Sequence, residues 1–245
     1  MTGDNMTAPS GKPMPLKVTY LRENSANWDR SRFRKHLDAA PNSPALAEIA
    51  HRRNALRSLA PHPLHQSYQA PNRSPARVTP DLLAISPAYG AVLFNLARSI
   101  EARLILEDGA GFGISSMYLA AAARQAGGGM LLSFEISDYA THAQASVNLV
   151  DPGSQVIRGS FAGFAAHLSG AAQVDFAFID SMHDKDSMLR SFRSLIGWMA
   201  PQSIIVVDDL SYSDSAREGF RCMMRMGHHD FVAIVNNRFG VLIRG

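Results

Sequence analysis

Apolar and polar positions change rhythm along this 245-residue chain, and each change marks an element. Residues 1–26 have weak periodicity and are rich in Pro, Gly, Ser, Asn and Thr, which predicts a flexible N-terminal segment. Helical spacing runs from Trp28 to Ala40 and again from Ser43 to Leu59. In the second stretch Leu46, Ile49, Ala50 and Leu56 leave Arg52, Arg53 and Arg57 largely on other faces. Ser43-Pro44 reads as an N-cap followed by the first helical residue. Prolines at 61, 63, 71, 75 and 80 then impose an extended linker. It carries His62, His65, Gln66 and Tyr68, side chains that suit either a pocket wall or an ordinary surface linker.

From Thr79 the pattern becomes regular. Thr79-Pro80-Asp81 opens a short helix, and Ser86-Pro87 opens another ending near Ile100. Short apolar runs at 103–107, 130–135, 155–158, 174–179 and 203–208 predict strands, with helices near 114–125, 139–148, 161–168 and 185–199 between them. A helix at 212–226 precedes apolar runs at 231–235 and 239–243, and Asn236-Asn237-Arg238 between these signals a hairpin. The expected fold is α/β, a doubly wound, Rossmann-like sheet with ligands at the carboxyl ends of its strands. The expected division is a flexible segment over 1–26, a basic helical extension and Pro-rich linker over 27–78, and one domain over 79–245.

Composition narrows the class. With 46% hydrophobic and 18% charged residues the chain reads as soluble and globular. No run approaches the ~18 apolar residues of a membrane span, and the start lacks a basic stretch followed by an apolar one. The single cysteine, Cys222, excludes an internal disulfide framework and fits a reducing compartment, so cytoplasm is the expected location. Residues 1–80 hold 12 Lys+Arg against 5 Asp+Glu, whereas the remainder holds 12 against 16. The basic part is either a solvated helical face or a surface for an anionic partner. Its charges are spread, with no interleaved aromatic residues of the kind that stack bases, so nucleic acid is not the expected partner.

The candidate chemistry begins where the run Leu104–Leu106 ends in Glu107-Asp108 and turns through Gly109, Gly111 and Gly113 into an Ala-rich helical stretch. Glycines at a strand-to-helix turn let backbone approach a nucleotide-like ligand. A dinucleotide fingerprint puts its third glycine three positions after the second. Here Gly113 follows Gly111 by two, and position 114 is Ile. Glu107 would also sit badly beside a pyrophosphate, but is tolerable beside a cationic, phosphate-free ligand. Glu135 ends the second strand 22 positions after Gly113, where a Rossmann-type sheet places an acid on the ribose hydroxyls. The fourth and fifth strands end in Asp180 and in Asp208-Asp209, which should converge at the carboxyl edge. Three crowded carboxylates repel, and a divalent cation such as Mg²⁺ or Mn²⁺ would keep all three ionised. Two alternatives stay open: Asp208 and Asp209 as caps of the following helix, and Asp180 as a metal-free contact to ligand.

Glu107-Asp-Gly-Ala-Gly-Phe-Gly113 resembles the first motif of class I S-adenosylmethionine-dependent methyltransferases, except that Asp108 stands where an apolar residue is usual. With the terminal hairpin, the resemblance covers roughly residues 80–245 and implies a seven-stranded sheet. It implies donor contacts from Glu107, Gly109, Ala110, Gly111, Gly113, Ser115, Glu135, Ile136, Gly159, Ser160 and Asp180, with Gly159-Ser160 near the adenine. The acids resemble those of the cation-dependent O-methyltransferase branch, of catechol and sugar types, which implies a metal on Asp180, Asp208 and Asp209. His183 lies where catechol-type relatives place a lysine base, and an imidazole can take a hydroxyl proton; a hydrogen-bonded surface histidine is the alternative. Asp184 and Asp186 read as helix N-terminal charges.

The function expected is methyl transfer from S-adenosylmethionine to a hydroxyl of a small molecule, with Asp180 and His183 catalytic. A metal-independent methyltransferase acting on RNA or protein, and a non-catalytic S-adenosylmethionine-binding module, are the alternatives. The partners expected are the small-molecule acceptor and a second copy of the chain, with no membrane.

Overall fold

A computed structural model describes residues 16–64 and 77–245. The first fifteen residues of the expected flexible segment, together with His65, Gln66 and Tyr68, lie outside the described residues.

Among the described residues the sheet has eight strands rather than seven. In chain order they are β1 (Val18–Glu23), β4 (Leu104–Asp108), β5 (Met130–Glu135), β6 (Gln155–Arg158), β7 (Val174–Ile179), β8 (Met199–Val207), β9 (Phe231–Val235) and β10 (Phe239–Arg244). The remaining pair, β2 (His62–Pro63) and β3 (Arg77–Val78), makes a small ladder of its own. The order in the large sheet is β1-β9-β10-β8-β7-β4-β5-β6. Its centre, β8 to β6, is parallel, while β9 and β10 form the antiparallel hairpin. The added strand, β1, comes from the stretch expected to be flexible. Its Val18, Tyr20 and Arg22 alternate inward with Thr19, Leu21 and Glu23 outward, and it pairs with β9 from Val18↔Val235 to Glu23↔Phe231. Alternation of period two over six residues is what a half-buried edge strand needs, despite the polar surroundings.

Helices cover both faces. On one side lie α1 (Arg30–Asp38), α2 (Ala45–Leu56), α3 (Pro87–Ser99), α4 (Ile114–Gln125) and α5 (Tyr139–Val147), packed over Ile105, Leu131, Phe176, Phe178, Ile204 and Val206. On the other, α6 (Lys185–Ile196) and α7 (Asp214–Arg225) pack on Leu106, Ala177, Ile179, Ile205 and Val207. Alternate residues of each central strand thus feed two separate apolar layers. Residues Phe161–His167, expected as an α-helix, form 3₁₀ turns capped by Ser160. The helix before the fifth parallel strand ends at Ile196 instead of 199, and the strand starts at Met199, ahead of the expected 203. Pro201 is tolerated within it because β10 pairs only with residues 203–207.

The strand order reverses between β4 and β7, so the crevice at a topological switch point opens there. Gly109 makes the junction possible. Its φ is +102°, and a Cβ on it would lie 2.6 Å from the Asp180 carbonyl oxygen.

Candidate functional site

The turn after β4 carries its chain from the sheet to the N-terminus of α4, whose N-cap, Gly113, adopts φ +87°. Among the described residues no side chain caps that helix, so its first N–H groups face the crevice with the positive end of the helix dipole. Glu135 is 3% exposed at the end of β5. It accepts from Gly111 N at 2.8 Å, from Ser137 N at 2.9 Å and from Ser137 Oγ at 2.7 Å, which fixes its carboxylate at the mouth of the turn.

Two cavities flank this point. One, of about 190 Å³, brings Asp108, Gly109, Glu135, Ile136, Gly159 and Ser160 together with Ser181 and Met182. The other, of about 240 Å³, is bordered by Gly109, Ala110, Gly111 and Ser115 on one side and by Asp180, His183, Asp209 and Arg238 on the other, with Leu82–Ile85 as its outer wall. The expected donor contacts other than Glu107 and Gly113 therefore divide between two spaces that share Gly109 as a lining residue.

Glu107 stands apart. It is fully buried beneath the turn, borders neither cavity, and receives hydrogen bonds from Ser116 and Ser133, while its Oε1 has no hydrogen-bond partner among the described residues. Burial outweighs the hydroxyl donors and pushes its pKa up to about 7. Asp108, on the opposite face of β4, is 6% exposed and receives Ser191 Oγ at 2.5 Å. Burial again dominates and raises its pKa to about 6.

At the second cavity, Asp180 follows β7 and Asp208 and Asp209 follow β8. The Asp180 carboxyl is held well above its ordinary pKa, first by burial and then by the charges of Asp208 and Asp209. Carboxylate oxygens of Asp180 and Asp209 and an imidazole nitrogen of His183 lie within 4.8 Å of one another. His183 Nε2 is 3.5 Å from Asp209 Oδ2, and its ring packs on Tyr212 at 5.0 Å between centroids. Ser213 Oγ donates to the His183 carbonyl at 3.0 Å, tying this loop to the start of α7.

Asp208 is placed otherwise than expected. It is 1% exposed and grips Arg238 through both oxygens, Nε to Oδ1 and Nη2 to Oδ2, each at 2.6 Å. The bidentate pair occupies the carboxylate, so the cluster able to share a cation is Asp180, His183 and Asp209 instead of the three aspartates. The capping alternative also fails: α7 is capped by Ser213, which accepts from Ala216 N at 3.0 Å. Asp184 and Asp186 lie at the N-terminus of α6, where Asp184 is the cap and accepts from Asp186 N and Ser187 N.

Arg238 is the residue that sequence reasoning missed. In the β8/β10 ladder Gly240 faces Val207, so two further steps set Arg238 opposite Asp209. Its Nε is 3.3 Å from Asp209 Oδ1, and its guanidinium lies 4.8 Å over the Tyr89 ring. The hairpin signal marked Arg238 as a turn residue; only the strand register brings it to the site. Asp209 has φ +53°, an uncommon conformation for a residue with a side chain and one that recurs at functional turns.

The family model described as a methyltransferase domain matches residues 106–210, from the glycine turn through Glu135, Asp180 and His183 to the Asp208-Asp209 pair. Solved structures share the fold. A cofactor-bound protein from MTB is 23% identical with a TM-score of 0.58, over 84% of this chain and 93% of that one. The O-methyltransferase TomG from Streptomyces achromogenes, involved in tomaymycin synthesis and solved in complex with SAM, is 22% identical with a TM-score of 0.57, over 89% and 97%. An O-methyltransferase from Bacillus cereus in complex with SAH is 18% identical with a TM-score of 0.55, over 89% and 98%. No curated protein sequence matches the chain. Among the described residues no helix is long and apolar enough to cross a membrane.

Proposed function

We propose that this chain is a class I S-adenosylmethionine-dependent methyltransferase, a reading supported by the methyltransferase-domain match over residues 106–210, and that it methylates a hydroxyl of a small molecule with the help of a divalent cation. The observation that carries the reading is the convergence of Asp180, His183 and Asp209 in a cavity bounded on its other side by the glycine turn. The O-methyltransferase neighbours support a hydroxyl as the acceptor.

The donor is an activated sulfonium, so the work left to the protein is alignment and removal of one proton. Glu135 would hold the ribose hydroxyls, with its carboxylate already oriented by Gly111 and Ser137. The uncapped N-terminus of α4 suits the amino-acid carboxylate of the donor. Ile136 and Met182 wall the first cavity, where the base would lie, and Gly159-Ser160 closes it.

The donor chemistry at Asp180, His183 and Asp209, two carboxylates and one imidazole, fits a small divalent cation. The nitrogen ligand moves the preference from Mg²⁺ toward Mn²⁺. Bound there, such a cation would chelate the acceptor oxygen and lower its pKa. Asp209 holds the His183 imidazole at 3.5 Å, and Arg238 holds Asp208 and neutralises part of the acidic edge. Leu82 and Leu83, both exposed, and the exposed ring of Tyr212 beside His183 offer an apolar rim to the acceptor.

Arg238 favours a second, metal-independent reading, because its fixed charge already offsets Asp208 and touches Asp209. His183, paired with Asp209, would then be the general base. An RNA acceptor is less well supported. Several extension arginines are spent on tying the extension to the domain: Arg22 to the His229 and Met224 carbonyls, Arg52 to Ser146, and Arg53 to the Ile85 carbonyl.

Calorimetry with S-adenosylmethionine, with and without Mg²⁺ or Mn²⁺, followed by activity screening on catechols, phenols and hydroxylated sugars, tests the reading. Absence of donor binding would remove it. Full-speed methylation by EDTA-treated enzyme would remove the cation and leave the second reading.

A further inference from the structure

Asp108 has no part in the reading above, yet it borders the cavity assigned to the donor base. A carboxylate that is 6% exposed normally has a cationic partner. Among the described residues Asp108 makes no ion pair; Ser191 Oγ donates to its Oδ2 at 2.5 Å and the Ser181 hydroxyl is its other neutral donor. Arg190 borders the same cavity but turns its guanidinium to Ser187 Oγ at 2.7 Å. The one other polar side chain at the loop after β6, Ser160, accepts Ala162 N at 3.3 Å as the cap of the following turns.

Position explains why an acid could be useful here. Glu135 ends the strand beside β4, so a ribose held on Glu135 has next to it the cavity that Asp108 lines together with Ile136 and Met182. Aminopurines present an exocyclic N–H₂ that a carboxylate accepts, and an apolar residue at 108 would offer that group nothing. Resting on the donor reading above, we propose that Asp108 is a specificity-determining residue that accepts a hydrogen bond from the 6-amino group of the donor's adenine, with Ser191 holding the carboxylate in place.

Titration calorimetry of the full chain with S-adenosylhomocysteine and with its 6-deamino analogue, which carries hydrogen at C6, tests this. The wild type should bind the adenosyl compound about 10- to 100-fold more tightly, because the analogue sets a C–H against the buried carboxylate in place of a donor. Asp108→Leu should bring the two affinities within about threefold, chiefly by weakening the adenosyl compound. Asp108→Asn, which keeps a carbonyl acceptor and the same shape, should retain part of the preference and covers the case in which the leucine variant does not fold. An unchanged preference in a folded Asp108→Leu or Asp108→Asn protein, or no preference in the wild type, overturns the proposal and leaves the donor reading standing. Failure of the wild type to bind S-adenosylhomocysteine at all overturns both.

Discussion

Arg238 and Asp208 form a two-pronged pair, both contacts at 2.6 Å, between the turn of the terminal hairpin and the end of the central strand β8. The carboxylate is buried and the guanidinium side chain is 30% exposed, so one partner depends on the other far more than the reverse. Burial raises the Asp208 pKa, and the adjacent guanidinium works against that rise.

Arg238→Met keeps an aliphatic stem against Tyr89 and removes the fork. Asp208 is then a buried charge with no cation, and the loss should be about 3 kcal/mol, the lower part of the range for breaking a buried pair because Arg238 reaches solvent. Asp208→Asn in the same background should recover part of it, giving a coupling of about 1–2 kcal/mol in a urea double-mutant cycle. A single-variant loss under about 1 kcal/mol would mean that the pair does not brace the hairpin.

The same pair separates two ligand sets. If a cation sits on Asp180, His183 and Asp209, His183→Ala should weaken Mn²⁺ binding about tenfold or more in calorimetry, while Asp208→Asn leaves it within about threefold. Affinity should also rise with pH, since the Asp180 carboxyl holds its proton unusually tightly and must release it to the metal. A large loss in Asp208→Asn with none in His183→Ala would restore the three-aspartate set.

Much of this site was legible in the sequence because strand ends are. Short apolar runs closing in acids marked Glu107, Glu135, Asp180 and Asp208 for the carboxyl edge, and parallel pairing brings those ends together whatever the loops do. What a side chain does there depends on which face of the strand it takes. Glu107 and Asp108 are neighbours in sequence but point to opposite layers, one to Ser116 and Ser133 under α4, the other to Ser191 on α6. Arg238 was hidden for a related reason: its partner lies 30 residues away and is chosen by antiparallel register. The strand β1 was hidden because its alternation is short and lies in polar sequence.

Glu107 gives a pH test that needs no substrate. Its folded pKa, about 7, lies above the ordinary 4.5 because burial penalises the charged form. The folded chain therefore keeps a proton that the unfolded chain releases. That contribution is fully present below the unfolded value and fades as pH rises through the folded one. Glu107→Gln, which imitates the neutral acid between Ser116 and Ser133, should flatten the decline. Relative to wild type it should gain up to about 3 kcal/mol between these two pH values, measured by denaturation at stepped pH. Parallel curves for the two proteins would show that Glu107 is already ionised in the fold.

Gly113 links fold to function most directly. A side chain there must adopt φ +87°, and its Cβ would stand 2.8 Å from the Cα and carbonyl oxygen of Ala143 on α5. Backbone cannot yield as a flexible side chain can, so Gly113→Ala should cost at least about 2 kcal/mol in strain and overpacking. Relief requires α4 to move away from α5, which tilts the uncapped helix N-terminus and displaces Gly111, the donor to Glu135. The variant should therefore lose S-adenosylmethionine affinity about tenfold or more even where enough folded protein remains to measure it. Gly127→Ala, with φ +82° but no atom within 4 Å of the added carbon, is the control. It carries the backbone strain without the collision, so it should lower stability by about 1 kcal/mol and leave donor affinity unchanged. Equal loss of donor binding in both variants would assign the effect to global destabilisation and not to the seat of α4.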